Sequence, residues 1–448
     1  MQLKPVAKGV RRQLIAASCA LLGATAARSQ EANTASADGG PGDWMVDSAL
    51  AYYKENSGRI TALEPVVNVH KDYGDGKATS FNLTYDSLSG SSPNGAVPSA
   101  APQTFASPSG TSLSAAPQTY TTSSGQVEVV NAPIYSIAPG ALPMDPNYHD
   151  QRLALGGSWQ LPLSRLTRAT LGGDLSYEHD FFSTSLNAAI AHDFNQKNTT
   201  LAFGVNGEFD SVKPIGGTPV PGSDYALFEK TGGTSKNGAG ALLGITQVLT
   251  RHWLAEFNLS VDRFTGYLND PYKIVSVVDS SGNTTGYLYE KRPDARTRKS
   301  AYLENRLAWN RASLGLSARY MTDDWGVHSD TAQLHLRWWD PEHDRYLEPT
   351  VRWYRQTAAD FYTRWLSSSA SQIVTAASAD ERLGAFHALT YGLKYGADLD
   401  DGSELSIRLE YYQQSPDNRI PGPGALQGLN LYPGLKAVLL QVGWRFGL

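Results

Sequence analysis

The chain has no run of 18 or more apolar residues, which excludes a membrane-spanning helix. Of its 448 residues only 18% are charged, and there is a single cysteine, Cys19. Mean hydropathy is -0.34 and 41% of the residues are apolar, slightly below the average of soluble proteins. On that arithmetic alone the chain reads as water-soluble, with material for one large domain or two to three ordinary ones. Catalytic signatures are missing too: there is no HExxH, GxSxG, Walker loop or GxGxxG in a strand–helix setting. The expectation is therefore a protein that is not an enzyme, with no cofactor and no metal.

What is present begins with an export signal. Lys4, Lys8, Arg11 and Arg12 form a basic start, Leu14 to Leu22 a short apolar stretch, and Ala24 to Ala27 a small-residue cleavage site. Residues 1–27 read as a signal peptide and 28–45 as a flexible lead-in. Cys19 lies inside the apolar stretch with Ala16 three residues before it, a poor lipidation site. Cleavage removes four basic residues and no acidic ones, moving the formal charge from -5 to -9, and takes away the cysteine. The mature chain then holds no disulfide or thiolate, and an acidic exported chain is a poor nucleic-acid partner. The destination is the periplasm, outer membrane or medium of a Gram-negative bacterium.

From Gln151 onward the pattern has period two. Leu153, Leu155, Gly157, Trp159 and Leu161 alternate with polar or small residues, as do Trp253, Ala255, Phe257, Leu259 and Val261. Alternating faces mean strands with one apolar and one polar side. Fifteen segments follow: 59–70, 77–87, 151–161, 167–179, 181–194, 198–211, 238–250, 252–267, 295–310, 311–322, 327–339, 345–356, 383–397, 402–414 and 435–447. Many are longer than the five or six residues usual in soluble sandwiches and match the roughly 9–11 needed to cross a bilayer at a tilt. Connections alternate between short (195–198, 250–252, 310–311) and long (213–236, 270–293, 357–381, 415–433), the habit of transmembrane barrels. Parity asks for one more strand, and Val46–Glu55 supplies it. The expected fold is an all-β, antiparallel outer-membrane barrel of about sixteen strands over 46–448, fourteen being the alternative, with irregularity at Pro65.

A Ser/Pro/Gly-rich stretch, 88–147, interrupts the pattern. It repeats Ser99-AAPQT-Phe105 as Ser114-AAPQT-Tyr120, too few copies for a solenoid. Its SPNG and PSG sequences favour turns; it reads as a long loop that plugs or covers the barrel. Trp159, Tyr177, Trp253, Trp309, Tyr320, Trp338, Trp353 and Tyr411 suit interfacial girdles. The last strand, with Val438, Leu440, Val442, Trp444 and Phe446 on one face, resembles the C-terminal recognition strand of outer-membrane proteins, which the outer-membrane assembly machinery reads.

Several phrases resemble a bacterial family known as domain of unknown function 3570: Tyr85-DSLSGSSPNGA-Val97, Ala141-LPMDPNYHDQRLAL-Gly156, Tyr177-EHDFFSTSLNAAIAHDFNQKNTT-Leu201, Gly244-ITQVL-Thr250, Asp270-PYKIV-Ser276, Arg319-YMTDDWGVHSDT-Ala332 and Tyr354-RQTAADFY-Thr363. The resemblance implies an exported, β-rich outer-membrane protein and carries over no site residue.

The polar faces define an expected lumen: Arg152, Asp174, Glu178, Glu208, Glu256, Asp262, Glu304, Arg306, Arg319, His335, Arg337, Glu348, Arg352, Arg408, Glu410 and Arg445. Mixed signs suit either a structural ladder of ion pairs or a selective pore lining. His–carboxylate neighbours at Asn147–Asp150, Tyr177–Asp180 and His192–Asp193 would point to opposite faces on a strand and reach a common metal only across a turn. Asp47, Asp86 and Asp145 read as turn or capping residues. Three functions remain: a pore or transport component for small polar solutes in the outer-membrane lipid bilayer, a non-conducting structural or assembly barrel, and an outer-membrane hydrolase whose Ser/His pair comes from separate strands.

Overall fold

The computed structural model describes residues 43–448 apart from 108–114, 122–126, 228, 370–374 and 418, with the backbone alone for 115–121 and 127–133. Residues 1–27, read as a signal peptide, and nearly all of the expected lead-in lie outside the described residues.

Sixteen antiparallel strands close into one barrel. They are β1 Trp44–Glu55, β2 Thr61–Asp72, β3 Ala78–Ser89, β4 His149–Pro162, β5 Thr167–Tyr177, β6 Phe181–Phe194, β7 Thr199–Val212 and β8 Thr234–Thr250. The circuit continues with β9 Trp253–Gly266, β10 Ala295–Ala308, β11 Ala312–Asp323, β12 His328–Asp340, β13 Arg345–Gln356, β14 Phe386–Asp398, β15 Glu404–Pro416 and β16 Leu435–Gly447. Each strand pairs with its chain neighbour, and β16 closes on β1 from Met45↔Gly447 to Glu55↔Ala437. Closure leaves no edge strand, so every strand can satisfy its backbone polar groups inside the wall, as a lipid environment requires. Sixteen strands is the number that parity demanded. Pro65 has its expected effect: Glu64 and Pro65 drop out of the β2–β3 ladder, which passes from Leu63↔Ser87 to Val66↔Thr84.

The apolar face of every strand points outward. Leu153, Leu171, Leu186, Phe203 and Leu409 are all exposed, Leu186 by 61%. An aqueous protein does not leave so continuous an apolar band uncovered; it is the surface that a hydrocarbon core solvates. All eight aromatics named as girdle candidates are exposed on this face.

The two ends differ. At one, seven turns of two to five residues link the strands. At the other lie 90–148, 213–233, 267–294, 357–385 and 417–434, with short links at 56–60, 178–180 and 324–327. The 88–147 stretch holds more regular structure than its turn-rich composition suggests. Gln103–Ala106 and Ala115–Thr121, the parts of the two repeat copies that pair, both join one strand, Val127–Ile137. A composition dominated by Ser, Pro and Gly hides such pairing because the neighbouring strands supply the hydrogen bonds.

Candidate functional site

The long loops fold into a cap with its own core. Its centre is Ile274–Val278, buried at every position and paired with Thr284–Tyr289 and, in parallel, with Trp365–Ser367. A short run of Ile and Val, interrupted only by Ser276, suits a strand covered on both faces. Ala96, Phe105, Tyr135 and Ile137 of the β3–β4 loop pack on Ile274 and Tyr289. On the other flank Val97 and Val278 meet Leu426 and Leu431. Backbone bonds stitch the same segments: Ile274 N–H donates to Asn94 O (2.9 Å), and Ala425 N–H to Ser281 O (2.8 Å). The β3–β4 and β9–β10 loops spring from points six strands apart on a sixteen-strand ring. That separation is nearly a diameter, so the cap spans the mouth.

Beneath its apolar clusters the cap holds an ionic knot. Arg292 Nη2 donates to Glu290 (3.0 Å) and Asp380 (2.8 Å), and Arg382 Nε donates to both Asp380 oxygens at 2.9 Å. Arg382 also reaches Asp270 at 2.7 Å, and Ser378 donates to Glu290. Lys273 donates to Ser92 Oγ (2.7 Å) and the Pro93 carbonyl, tying the β3–β4 loop to the knot. Glu290 and Asp380 are each 1% exposed. Burial pushes Glu290 up. Burial opposes the Asp380 charge as well, yet Arg382, Lys273 and Arg292 outweigh it and hold that carboxyl far below the ordinary range. Arg59, buried in the β1–β2 turn, pairs with Glu55 and Glu381 and anchors the cap to the rim.

Below the cap, the two sides of the polar interior are built differently. On β3–β9, short amides and carboxylates lie over glycines. A Cβ on Gly156 would stand 2.2 Å from Asp174 and 2.4 Å from Asn82, and one on Gly240 would stand 2.4 Å from Asn206 and 2.5 Å from Asp262. This wall is thin. On β12–β16 and β1, long charged side chains interlock. Arg337 Nε donates to Glu348 (2.9 Å) and stacks its guanidinium over the Tyr346 ring at 3.9 Å. Arg408 lies 3.8 Å from Glu348 and 3.1 Å from Glu410. Arg445 bridges Asp47 and Glu404, across the seam where the barrel closes.

The remaining sequence-derived positions fall around this ring. Arg152 pairs with Asp86; Asp174 accepts from Ser185 (3.2 Å); Glu208 lies 3.8 Å from Lys236. Glu256 accepts from Asn258 (2.7 Å), and Arg306 Nε donates to Glu304 (2.7 Å). Asp262 sits in the field of Arg298 and Arg319. The His335 ring occupies the space above Gly315. Arg319 and Arg352 are exposed. Glu178 differs: it lies past the end of β5, in the 178–180 link, not on a strand. Asp47 and Asp86, read as turn or cap residues, are instead mid-strand partners of Arg445 and Arg152. Only Asp145 keeps a turn role, accepting from Asn147 N–H at 2.9 Å. Lys394, Tyr346 and Glu404, central to the thick wall, were not singled out, though alternation through Thr390, Gly392 and Lys394 carries that signal.

Two of the three His–carboxylate motifs do meet, through their carboxylates. Oxygens of Asp150, Glu178 and Asp180 lie within 4.8 Å of one another at the rim under the cap. The 178–180 turn removes the strand-parity objection, and the trio is the one cluster among the described residues with metal-ligand spacing. Tyr148 donates to Asp150 (3.2 Å) and Tyr272 to Asp180 (2.5 Å). Burial, then Asp150 and Asp180, raise Glu178 to about 7.

No curated protein matches the sequence. Several solved barrels are similar in shape. A bacterial polysaccharide outer membrane secretin is 8% identical over 91% of this chain and 100% of its own, with a TM-score of 0.42. A ferric enterobactin receptor mutant (PfeA) from Pseudomonas aeruginosa is 9% identical over 90% of this chain, which spans 59% of that receptor, with a TM-score of 0.41. OpdK from Pseudomonas aeruginosa, solved with vanillate, is 9% identical over 91% of this chain and 98% of its own, with a TM-score of 0.38. The family described as protein of unknown function DUF3570 matches residues 11–446, and this chain belongs to that family.

Proposed function

We propose that the protein is an outer-membrane channel for small polar solutes, with the long-loop end facing outward and the cap governing access. The observation that carries this reading is the unequal interior: a thin Gly/Asn/Asp wall on β3–β9 faces a belt of interlocked charges on β12–β16 and β1. A sixteen-strand barrel encloses more space than wall side chains fill, and mixed charges over a polar wall favour hydrated, polar passengers over apolar ones. The export signal and the C-terminal strand support the location, and membrane insertion would come through the assembly machinery that reads that strand.

The cap favours a second reading, a non-conducting structural barrel, because its four buried apolar clusters make a folded lid. Planar-bilayer conductance decides between them. The channel reading expects small wild-type conductance and a several-fold rise on deleting 95–140. Silence of both proteins overturns it. Neither reading includes a catalytic step, and a screen of the folded barrel against ester and lipid substrates tests the hydrolase.

A further inference from the structure

The lipid-facing wall is uneven around its circumference. Near the long loops, the outward positions of β9–β16 and β1 carry Arg263, Lys299, Arg355, His387, Lys436 and Lys54, all exposed; Asp330 lies beside Arg355, and Asp417 meets His387 at 2.9 Å. The corresponding positions of β2–β8 carry Thr61, Ser87, His149, Gln151, Tyr177, Phe182, Ser211 and Asn237, with no Lys or Arg.

One of these cations, Lys299, borders a groove in the outer surface, and Arg263 lies two residues beyond Val261 of its wall. Phe203, Ala241, Leu243, Leu259, Ala301 and Tyr320 line it, and Lys299 and Thr322 form its upper margin. It is a shallow hollow of about 420 Å³, open along its outer side. The register explains the hollow. Ala241 lies opposite Val261, and Ala301 lies between Leu259 and Tyr320, so two methyl groups sit where their neighbours carry large side chains. Lys299 pairs with Val261 and Thr322, and Arg263 with Thr297, whose Oγ1 accepts from Arg263 Nη1 at 3.1 Å. Those partners are not acidic, and the one carboxylate beside them, Asp324 just past β11, accepts from Thr297 N–H at 2.8 Å. As diagonal cross-strand neighbours on one face, the two cations are roughly 7–8 Å apart at the backbone, a span their side chains close around one tetrahedral oxyanion. At the apolar margin an uncompensated cation is costly, and Lys and Arg relieve it by extending to the headgroup level. A groove for hydrocarbon below and two cations above suit a ligand with an acyl chain and a phosphate.

We propose that this groove binds a phosphate-bearing lipid of the membrane leaflet at the long-loop end, one acyl chain lying over Ala241 and Ala301 and a phosphate held by Arg263 and Lys299. The inference rests on the outer-membrane reading. A barrel that fails to insert into vesicles would end that reading, whereas one that inserts and ignores phosphate ends only this proposal.

Native mass spectrometry of the folded, detergent-held protein tests it, with diphosphoryl lipid A as the probe. The wild type should retain one lipid, and lipid A stripped of its phosphates should bind about thirtyfold more weakly, the loss expected of two interfacial cations. The double variant Arg263→Gln/Lys299→Gln should bind the diphosphoryl form as weakly, and Ala301→Leu should weaken both forms by filling the groove. Lys54→Gln/Lys436→Gln should bind like wild type. Equal retention of phosphorylated and stripped lipid by the wild type overturns the proposal without any variant. So does unchanged binding by the double variant once heat-modifiable migration shows that it is folded.

Discussion

The barrel wall and the cap are made of the same chain under opposite solvent rules. In the wall, apolar side chains such as Leu186 and Phe203 point outward and polar ones are enclosed. In the cap, Val275, Val278 and Leu426 are enclosed and the surface is polar. The wall draws its cohesion from the hydrogen-bonded ladder, because lipid offers apolar side chains no reason to leave it. The cap relies on removing apolar area from water and on a buried ionic knot. It follows that the two should fail independently: damage to the cap should leave the barrel closed, and damage to the wall should be felt in folding and insertion.

The largest expected effect breaks the comparison outright. Deleting 95–140 removes Asn94's neighbours, Val97, Phe105 and Tyr135 from the cap at once. Conductance should rise several-fold while heat-modifiable migration is kept; a barrel that no longer migrates as folded would show that cap and wall are one unit. Next, Arg292→Met leaves Glu290 and Asp380 facing each other without their shared cation. Losing one partner of a buried pair costs about 3–5 kcal/mol, and amide hydrogen exchange should report it in 274–278 and not in β1–β16. Leu426→Ala opens a cavity beside Val97 and Val278, with an expected cost of about 2–4 kcal/mol in the same cap-restricted exchange.

Smaller effects sharpen the contrast. Gly315→Ala puts a Cβ 1.9 Å from the His335 ring. The ring must move, at about 1–3 kcal/mol, and the loss should show in barrel melting, not in cap exchange. The smallest is a pH effect at the rim. Glu178 sits at about 7 in the fold against an ordinary 4.5, so the folded protein holds that proton more tightly than the unfolded chain. Its contribution is complete below pH 4.5 and is lost as pH rises through 7. Glu178→Gln should therefore raise the melting temperature at pH 8 by a few degrees relative to wild type and leave it unchanged at pH 4. An equal gain at both values would show that the charge on Glu178 is not the cause.

Much of the wall was readable in the residues and little of the cap. The β6 and β16 boundaries, 181–194 and 435–447, coincide with the sequence-derived segments. Two solvents on two faces write period two into each strand, and a single-residue slip would turn every side chain over. Ile274–Val278 has no period because both its faces are covered, so it looked like part of a loop. Lys273 meets Ser92 and Pro93 across about 180 positions of sequence, a distance no local pattern records. The interior lay between these cases. Alternation put Arg445 and Arg152 on the polar face, but their partners Asp47 and Asp86 emerged only with the register.

By itself, then, the sequence determined which residues face lipid, how many strands close the ring and at which end the long connections gather. Those are consequences of local alternation and of parity. The tertiary structure alone decided that the long connections share one core, that Asp150 meets the Glu178–Asp180 turn, and that Lys299 borders a hollow of alanines. Each of these depends on segments brought together around a closed ring, and closure is a property of the whole chain, absent from any stretch of it.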